Sequence, residues 1–459
     1  MGKVTLRQAA QWCGGRIDPK YADVVFDGAD IDSRTVSGGQ LFVALQGVRD
    51  GHAFIPAAME RGAAAVLCSH CEADIPAIIV EDPHKAFGDI ARQKRKQMNM
   101  KVVGVTGSVG KSTTKEMIAC VLSSVYRTGK SAVNHNNDLG LPMSILALPD
   151  DTEVAVLEMG MNHFREIACL TGIACPDVAV IINIGTMHIE HLGSMEGILQ
   201  AKLEILEGMS KDGTVILNGD DQLLWNARRV LDRAPVYFGI QNPDCAVLAR
   251  DVRSGESSIS YRVSGGGSEF EVDIPLEGEH FIPDSLAAVA VGLTMQVPPE
   301  KISCALSEFR NMAGRQEILS LRGATVIKDC YNAGPESMAA ALAVLGRKPG
   351  RHIAVLGDML ELGACAQAEH YRVGRIAAEK ADYVLAYGPN APRVISGALT
   401  GGMESAKARA FEDQKDLIAA LKRLLKPGDT VLVKGSHGMH MERVLDALSK
   451  EENAEEKTK

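Results

Sequence analysis

Val102–Met117 reads VVGVTGSVGKSTTKEM, an apolar run that breaks at a glycine turn and resumes as the helix-forming segment TTKEMIACVLSSV. A phosphate-binding loop of the form G-x-x-x-x-G-K-[ST] would carry its first glycine at position 105, where this chain has Val105. Gly107 and Gly110 instead stand closer together in TGSVGKS. The strand, loop, helix order still directs the backbone amides from Gly107, Ser108, Val109 and Gly110 through Lys111, Ser112 and Thr113 at one anion site, which the positive end of the helix dipole also faces. Lys111 is expected to neutralise terminal phosphate oxygens there, and the Ser112 hydroxyl to ligate Mg²⁺.

Outward from this loop, EVAVLEMG, VAVIINIG and TVILNGD repeat the pattern of a near-continuous apolar run followed by a helical segment. Runs of that kind are strands buried on both faces, so positions 98–312 are expected to form a doubly wound parallel sheet. Within it, SSISYRV and EFEVDIP alternate polar and apolar residues around Gly265–Gly267, which predicts a β-hairpin insertion. Positions 1–97, with QLFVAL, AAAVLC and AIIV between Gly, Pro and Asp turns, predict a small α/β domain. Positions 313–459 predict a Rossmann-like domain on the strands TVIKDC, HIAVLGDM, YVLAYG and TVLVKGS. The fold class expected is therefore three-domain α/β. The basic stretch ARQKRKQMNMK between the first two domains is expected to be a solvated helix end, and the polar tail EENAEEKTK to be disordered.

A chain of 459 residues suits several domains, and 46% hydrophobic with 23% charged residues is the composition of a globular protein. The net charge of -9 speaks against nucleic acid as a partner. No apolar run reaches the roughly 18–20 residues of a membrane span and the first residues lack a signal-peptide core, so a cytosolic protein without membrane insertion is expected. The 10 cysteines are scattered in apolar surroundings and are expected to be reduced. Cys68 and Cys71 in CSHC lack a second ligand pair, which favours ordinary thiols over a metal site.

Further candidates stand where strands end, the position of ligands in open α/β sheets. Glu158 in VAVLEMGMN suits a hard cation. His188 in IINIGTMHIEHLGS competes with His191 for a similar role. Lys202 in ILQAKLEIL is flanked by apolar residues, where an unpaired ammonium is costly unless it reaches water. His280 opens a helix after the hairpin, and the last domain offers Arg315 in AGRQE, Asp329 to Ser337 in DCYNAGPES, and Lys434 in VLVKGSHGM. Arg and Lys brought to a nucleotide from another domain suit stabilisation of charge on a transferring phosphoryl group.

The set resembles the Mur ligase family over nearly the whole chain: DSRTVSGGQLFVALQGVRDGHAFI, TGSVGKSTTK, NHNNDLGLP, LEMGMN, AKLEI, AGRQE, DCYNAGPESM, LGDMLELG and KGSHGMHME all take part. The short Gly-x-x-Gly-Lys loop is the form that family uses. What the resemblance implies is ATP-dependent amide-bond synthesis through an acyl phosphate, with a UDP-MurNAc-tripeptide as acid and D-Ala-D-Ala as amine. YNAGPES standing in place of the Asp-Asn-Pro-Arg signature favours the dipeptide.

By position, the resemblance makes Ser112 and Glu158 ligands of one Mg²⁺, His188 a ligand of a second, and Lys202 a carbamylated lysine serving as a further metal ligand. Ser33 and Arg34 match the motif that contacts the uridine nucleotide. His280, Arg315, Asp329 and Asn332 are expected at ATP, and Lys434 at the substrate. A monomer is expected. The chain departs from the family at Phe281 and Asp284, where asparagines are usual, at Arg165 and Gly334, where Gly and Asn are usual, and at His437, where Arg is common. Three other readings compete: a non-catalytic relative, a folylpolyglutamate synthase-like ligase and a mechanical P-loop ATPase. Intact Lys111, Glu158, His188 and Lys202 disfavour the first, the N-terminal DSR segment the second, and the lack of a strand ending in Asp after the loop the third.

Overall fold

The computed structural model describes residues 3–255, 257–312 and 314–456. Its framework is three larger sheets flanked by helices, besides a two-stranded antiparallel pair of Val4–Thr5 with Val25–Phe26, an α/β architecture in agreement with the expected fold class. In the central sheet the strand Lys101–Thr106 lies between Val178–Ile181 and Val154–Glu158, parallel to both. Its residues Val102, Val103 and Val105 are fully buried, as helices covering both faces require. The helix Lys111–Ser123 starts directly after the loop and packs against the helix Phe281–Thr294 through Met117, Ile118, Val121 and Leu122.

The expected hairpin insertion is an extension of this sheet. Val247–Ser254 pairs in parallel with Val236–Gly239, and Ile259–Gly265 and Ser268–Ile274 then continue antiparallel to the edge, making nine strands in all. Polar and apolar residues alternate along Ile259–Gly265 because one face packs on the core and the other meets solvent.

The C-terminal sheet is parallel from Ala324–Asp329 through Thr430–Lys434, His352–Gly357 and Tyr383–Tyr387 to Ala408–Phe411. One antiparallel edge strand, Glu317–Leu321, precedes them. That strand and Ala408–Phe411 are not among the expected strands, since an edge position leaves their residues half in water and blurs the pattern. The N-terminal sheet holds four short parallel strands between Ala29 and Ile79.

Two expectations are corrected. The basic helix end is solvated on one side only, at Arg92, Lys96 and Gln97, and docked on the other: Lys94 is 5% exposed and pairs with Asp150 at 2.5 Å, while Arg95 donates to the Ala174 and Cys175 carbonyls and to Asp177. These contacts fix the N-terminal unit to the central sheet. The tail is helical as far as it is described, within Glu442–Glu456, as its Glu and Ala residues favour, and positions 457–459 lie outside the described residues. The cysteines are free, and burial pushes the Cys68 thiol up to about 12. Among the described residues no helix is long and apolar enough to cross a membrane.

Candidate active site

Three adjacent strands of the central sheet end at one place, and each delivers a candidate residue. Lys101–Thr106 feeds the phosphate loop, Val154–Glu158 ends in Glu158, and Val178–Ile181 runs on towards His188. Facing them from the C-terminal sheet, Asp329 and Lys434 end neighbouring parallel strands in register. Between the two sheets lies a cavity of about 600 Å³, lined by Ser108, Val109, Gly110, Lys111, Ser112, Thr113, Glu158, His188, His280, Arg315, Asp329, Asn332 and Lys434. Gly107, Lys202, Ser33 and Arg34 are not part of its wall.

A hydrogen-bonded chain crosses the cavity. Arg315 Nη2 donates to Ser112 Oγ at 2.8 Å, and Ser112 Oγ donates to Glu158 Oε2 at 2.8 Å. Asn136 Nδ2 donates to Glu158 Oε1 at 2.9 Å, so both carboxylate oxygens are held. The Arg315 guanidinium lies 4.0 Å from the centre of the Tyr331 ring, which orients it from behind. Lys111 Nζ donates to the Gly107 and Ser108 carbonyls at 2.8 and 3.2 Å. Burial lowers its pKa, Glu158 opposes that and Arg315 adds to it.

The loop's amides are less free than the sequence suggests. Ser108 and Val109 N–H both donate to Asn183 Oδ1 at 3.0 Å, and Asn183 Nδ2 returns a bond to the Val109 carbonyl. The asparagine therefore shapes the loop, and the amides of the helix's first turn, from Lys111 onward, remain for an anion. Lys434 Nζ donates to Asp329 Oδ2 at 2.7 Å and to the Asn332 carbonyl at 2.9 Å. His188 Nδ1 stands 2.6 Å from Glu361 Oε2 of the C-terminal unit. His280 contacts Gln316 at 3.0 Å, and burial keeps its imidazole neutral, near pKa 4.

Lys202 is 2% exposed and makes no hydrogen bond or ion pair among the described residues, so it does not reach water as an ordinary lysine would. Burial, and secondarily the charge of Lys111, lowers its pKa well below the usual lysine value. Ser33 and Arg34 stay at the surface of the N-terminal unit, where Arg34 pairs with Asp32 at 2.6 Å. A second cavity of about 720 Å³ lies nearby, lined by Asp30, Thr35, Gln40, Lys130, Asn134 and His135 among others. Asn137 borders both cavities, so the two adjoin.

Asp284 stands against the phosphate loop. Thr114 Oγ1 donates to its Oδ1 at 3.0 Å, and a Cβ at position 110 would come within 2.4 Å of that oxygen, so glycine is required there, at φ 83°. Burial raises the carboxyl to about 8, while Thr114 and Arg315 act in the lowering direction. The folded chain thus holds a proton that the unfolded chain, ionising near about 4, has lost. Stability accordingly falls as pH rises through that window and levels off above the folded value. Asp284→Asn cannot ionise. Its unfolding free energy should exceed the parent's by a margin that widens from about pH 5 to about pH 8, reaching roughly 1–3 kcal/mol, with a higher melting temperature to match. Calorimetry across the range checks this, and a margin independent of pH would contradict it.

Comparison with known proteins decides the ancestry. The Mur ligase middle domain matches residues 105–292, the Mur ligase glutamate ligase domain 314–437, and the Mur ligase family catalytic domain 26–95. UDP-N-acetylmuramoyl-tripeptide–D-alanyl-D-alanine ligase of Bacillus subtilis is 38% identical over 458 residues, covering 98% of this chain and 99% of the relative. The chain belongs to the Mur ligase family. A crystal structure of MurF from Acinetobacter baumannii superposes with a TM-score of 0.90 at 31% identity, covering 98% of this chain and 99% of that one. MurF from Thermotoga maritima, solved in complex with ADP, gives 0.80 at 30% identity over 93% and 97%.

Within this Mur ligase, several residues at the cavity carry no clear sequence signal. Asn136 sits inside NHNNDLGLP and Asn183 directly after a buried strand, but an amide at a strand end reads as an ordinary loop residue. Tyr331 stacks on Arg315 within the C-terminal unit and Glu361 meets His188 across units, contacts that only the tertiary fold brings about. Arg165, where the family favours glycine, takes the left-handed φ of 72° that explains that preference. Its N–H donates to Glu204 at 2.7 Å and its guanidinium to Glu207 at 2.7 Å, contacts that offset the strain.

Proposed function

We propose that this Mur ligase joins D-alanyl-D-alanine to UDP-N-acetylmuramoyl-tripeptide with ATP as the source of energy, as a cytoplasmic monomer in peptidoglycan precursor synthesis. The observation that carries the reading is the convergence of Lys111, Ser112, Glu158, Arg315 and Lys434, from two sheets, on one cavity that adjoins a second. A carboxylate does not acylate an amine until one of its oxygens becomes a good leaving group. Attack of the tripeptide carboxylate on the γ-phosphorus of ATP forms the C–O–P bond of an acyl phosphate and releases ADP. The amine then forms the C–N bond, the C–O bond to phosphate breaks with its electron pair, and phosphate departs while the ammonium's protons are lost.

The protein's part is positioning and electrostatics. Lys111 swings from the Gly107 and Ser108 carbonyls to the terminal phosphates, and the first-turn amides hold the phosphates from the helix side. Arg315, stacked on Tyr331, supplies positive charge from the opposite unit at the place where charge develops. Lys434, tied to Asp329, sets the wall against which the acid substrate lies. The second cavity, between the N-terminal and central units, is assigned the remainder of that substrate, and Ser33 and Arg34, which neighbour its lining residue Thr35 in the chain, are assigned its uridine nucleotide.

A divalent cation fits the donor set. Glu158 and Ser112 present hard oxygen donors, and no group of three or more His, Cys, Asp or Glu gathers among the described residues, so most of the shell would come from water and phosphate, as Mg²⁺ favours. When bound, Mg²⁺ neutralises phosphate charge. His188 is assigned to a second cation, for which it would exchange its contact with Glu361. Lys202 is assigned as a carbamate, which would turn a buried amine without an acceptor into an anion.

Purified protein given ATP, Mg²⁺, UDP-MurNAc-tripeptide and D-Ala-D-Ala is expected to release ADP, with each component required. Release that does not depend on the dipeptide would overturn the reading.

A further inference from the structure

Five carboxylates line the cavity: Glu158, Glu166, Asp284, Asp329 and Glu336. Four are committed. Glu158 accepts from Ser112 and Asn136, Glu166 from the Asn162 N–H and against His163, Asp284 from Thr114, and Asp329 from Lys434. Glu336 receives a single long hydrogen bond, from Thr186 Oγ1 at 3.3 Å, and no ion pair among the described residues. It stands exposed in the first turn of the helix Pro335–Leu345 and faces the phosphate loop across Gly185. A Cβ on Gly185 would lie 3.3 Å from both Glu336 Cδ and Ser108 Cβ, which measures how narrow that gap is.

An anionic side chain so close to a loop that binds polyphosphate repels it unless a cation comes between them. The cavity's own cations are engaged elsewhere: Lys111 with the loop carbonyls, Arg315 with Ser112 and Tyr331, and Lys434 with Asp329. In the ligase reaction, on which this inference rests, the organic substrate that brings positive charge is the amine. An α-amino group with a pKa of about 7.7–8.0 is largely ammonium at neutral pH. It must also arrive beside the acyl phosphate, on the phosphate-loop side of the cavity. We propose that Glu336 is the anchor for the ammonium group of the incoming dipeptide, acting as a specificity-determining and positioning residue. Thr186 holds one carboxylate oxygen and leaves the other for the substrate.

The test is steady-state kinetics of the parent and Glu336→Gln with D-Ala-D-Ala, ATP and the UDP-linked tripeptide varied in turn. Loss of a charge-assisted hydrogen bond should raise the KM for the dipeptide about 10-fold to 100-fold and leave the other two KM values within about twofold. Hydroxylamine, an uncharged nucleophile at neutral pH that traps acyl phosphates as hydroxamates, should react equally well in both proteins. Glu336→Asp should recover part of the dipeptide affinity. An unchanged dipeptide KM overturns the assignment, and so does equal loss with hydroxylamine and dipeptide, which would mean a general structural effect. A fall in Mn²⁺ affinity measured by electron paramagnetic resonance would make Glu336 a metal ligand and overturn it too. Failure of the ligase reading itself is separate, since the parent would then show no dipeptide-dependent turnover.

Discussion

Lys111→Ala is expected to lower kcat/KM by about a hundredfold to a thousandfold while leaving the melting temperature unchanged or slightly raised. The two effects part because the lysine does little for the fold. Its ammonium rests on two carbonyls of its own loop at 2.8 and 3.2 Å, and burial works against its charge. The loop keeps its shape without it, since Asn183 holds the Ser108 and Val109 amides and Asp284 packs on Gly110. In the proposed reaction, in contrast, charge on the transferring phosphoryl group would lose the Lys111 ammonium. Lys111→Arg should recover little, because a planar guanidinium is poorly suited to the proposed swing from those carbonyls to the phosphates. Equal activity of Lys111→Ala and the parent in an ADP-release assay would remove the lysine from the mechanism. A large fall in melting temperature would show that the loop depends on it structurally.

The sheets were legible because buried parallel strands leave a plain trace. Val102–Val105, Val154–Leu157 and Val178–Ile181 are unbroken apolar runs, and each is followed by a residue of the cavity. Glu317–Leu321 left no such trace, since an edge strand buries only part of its length. The site divides in the same way. Lys111, Ser112 and Glu158 are placed by local order along the chain, a strand end or a helix start, and local order can be read. Asn183 is placed by the same rule and Asn136 by the loop between Lys130 and Gly140, but an amide carries no charge to mark it in a loop. Lys94 and Arg95 misled because a charge run says nothing of the acceptors, Asp150 and Asp177, that fold back onto it. Glu336 resembled any acid in a helix's first turn, where the dipole alone would explain it. It stands out only against the four other carboxylates of the cavity, each with a partner.

Lys202→Ala is expected to cost about a hundredfold to a thousandfold in kcat, and short carboxylic acids such as acetate should restore part of the loss. The argument starts from what a buried amine can do here. Lys202 is 2% exposed, has no acceptor among the described residues, and has its pKa driven down by burial and by Lys111. An amine held neutral is a nucleophile for CO₂: the nitrogen lone pair forms the N–C bond, a proton leaves, and a carbamate anion remains. That anion would turn repulsion from Lys111 into attraction and, in the proposed metal site, would add an oxygen donor to those of Ser112 and Glu158. A small acid diffusing into the space vacated in Lys202→Ala would supply the same charge, whereas Lys202→Arg cannot form a carbamate and fills the space, so it should stay inactive with acetate present. Stability should move in the opposite direction in protein stripped of CO₂, where replacing an unpaired buried amine by alanine removes a desolvation cost. A carbamate carbon resonance after labelling with isotopic bicarbonate, present in the parent and absent in Lys202→Ala, would identify the species directly. Should Lys202→Ala turn over as fast as the parent, the lysine is a packing residue and the metal site is complete with Ser112, Glu158, phosphate and water.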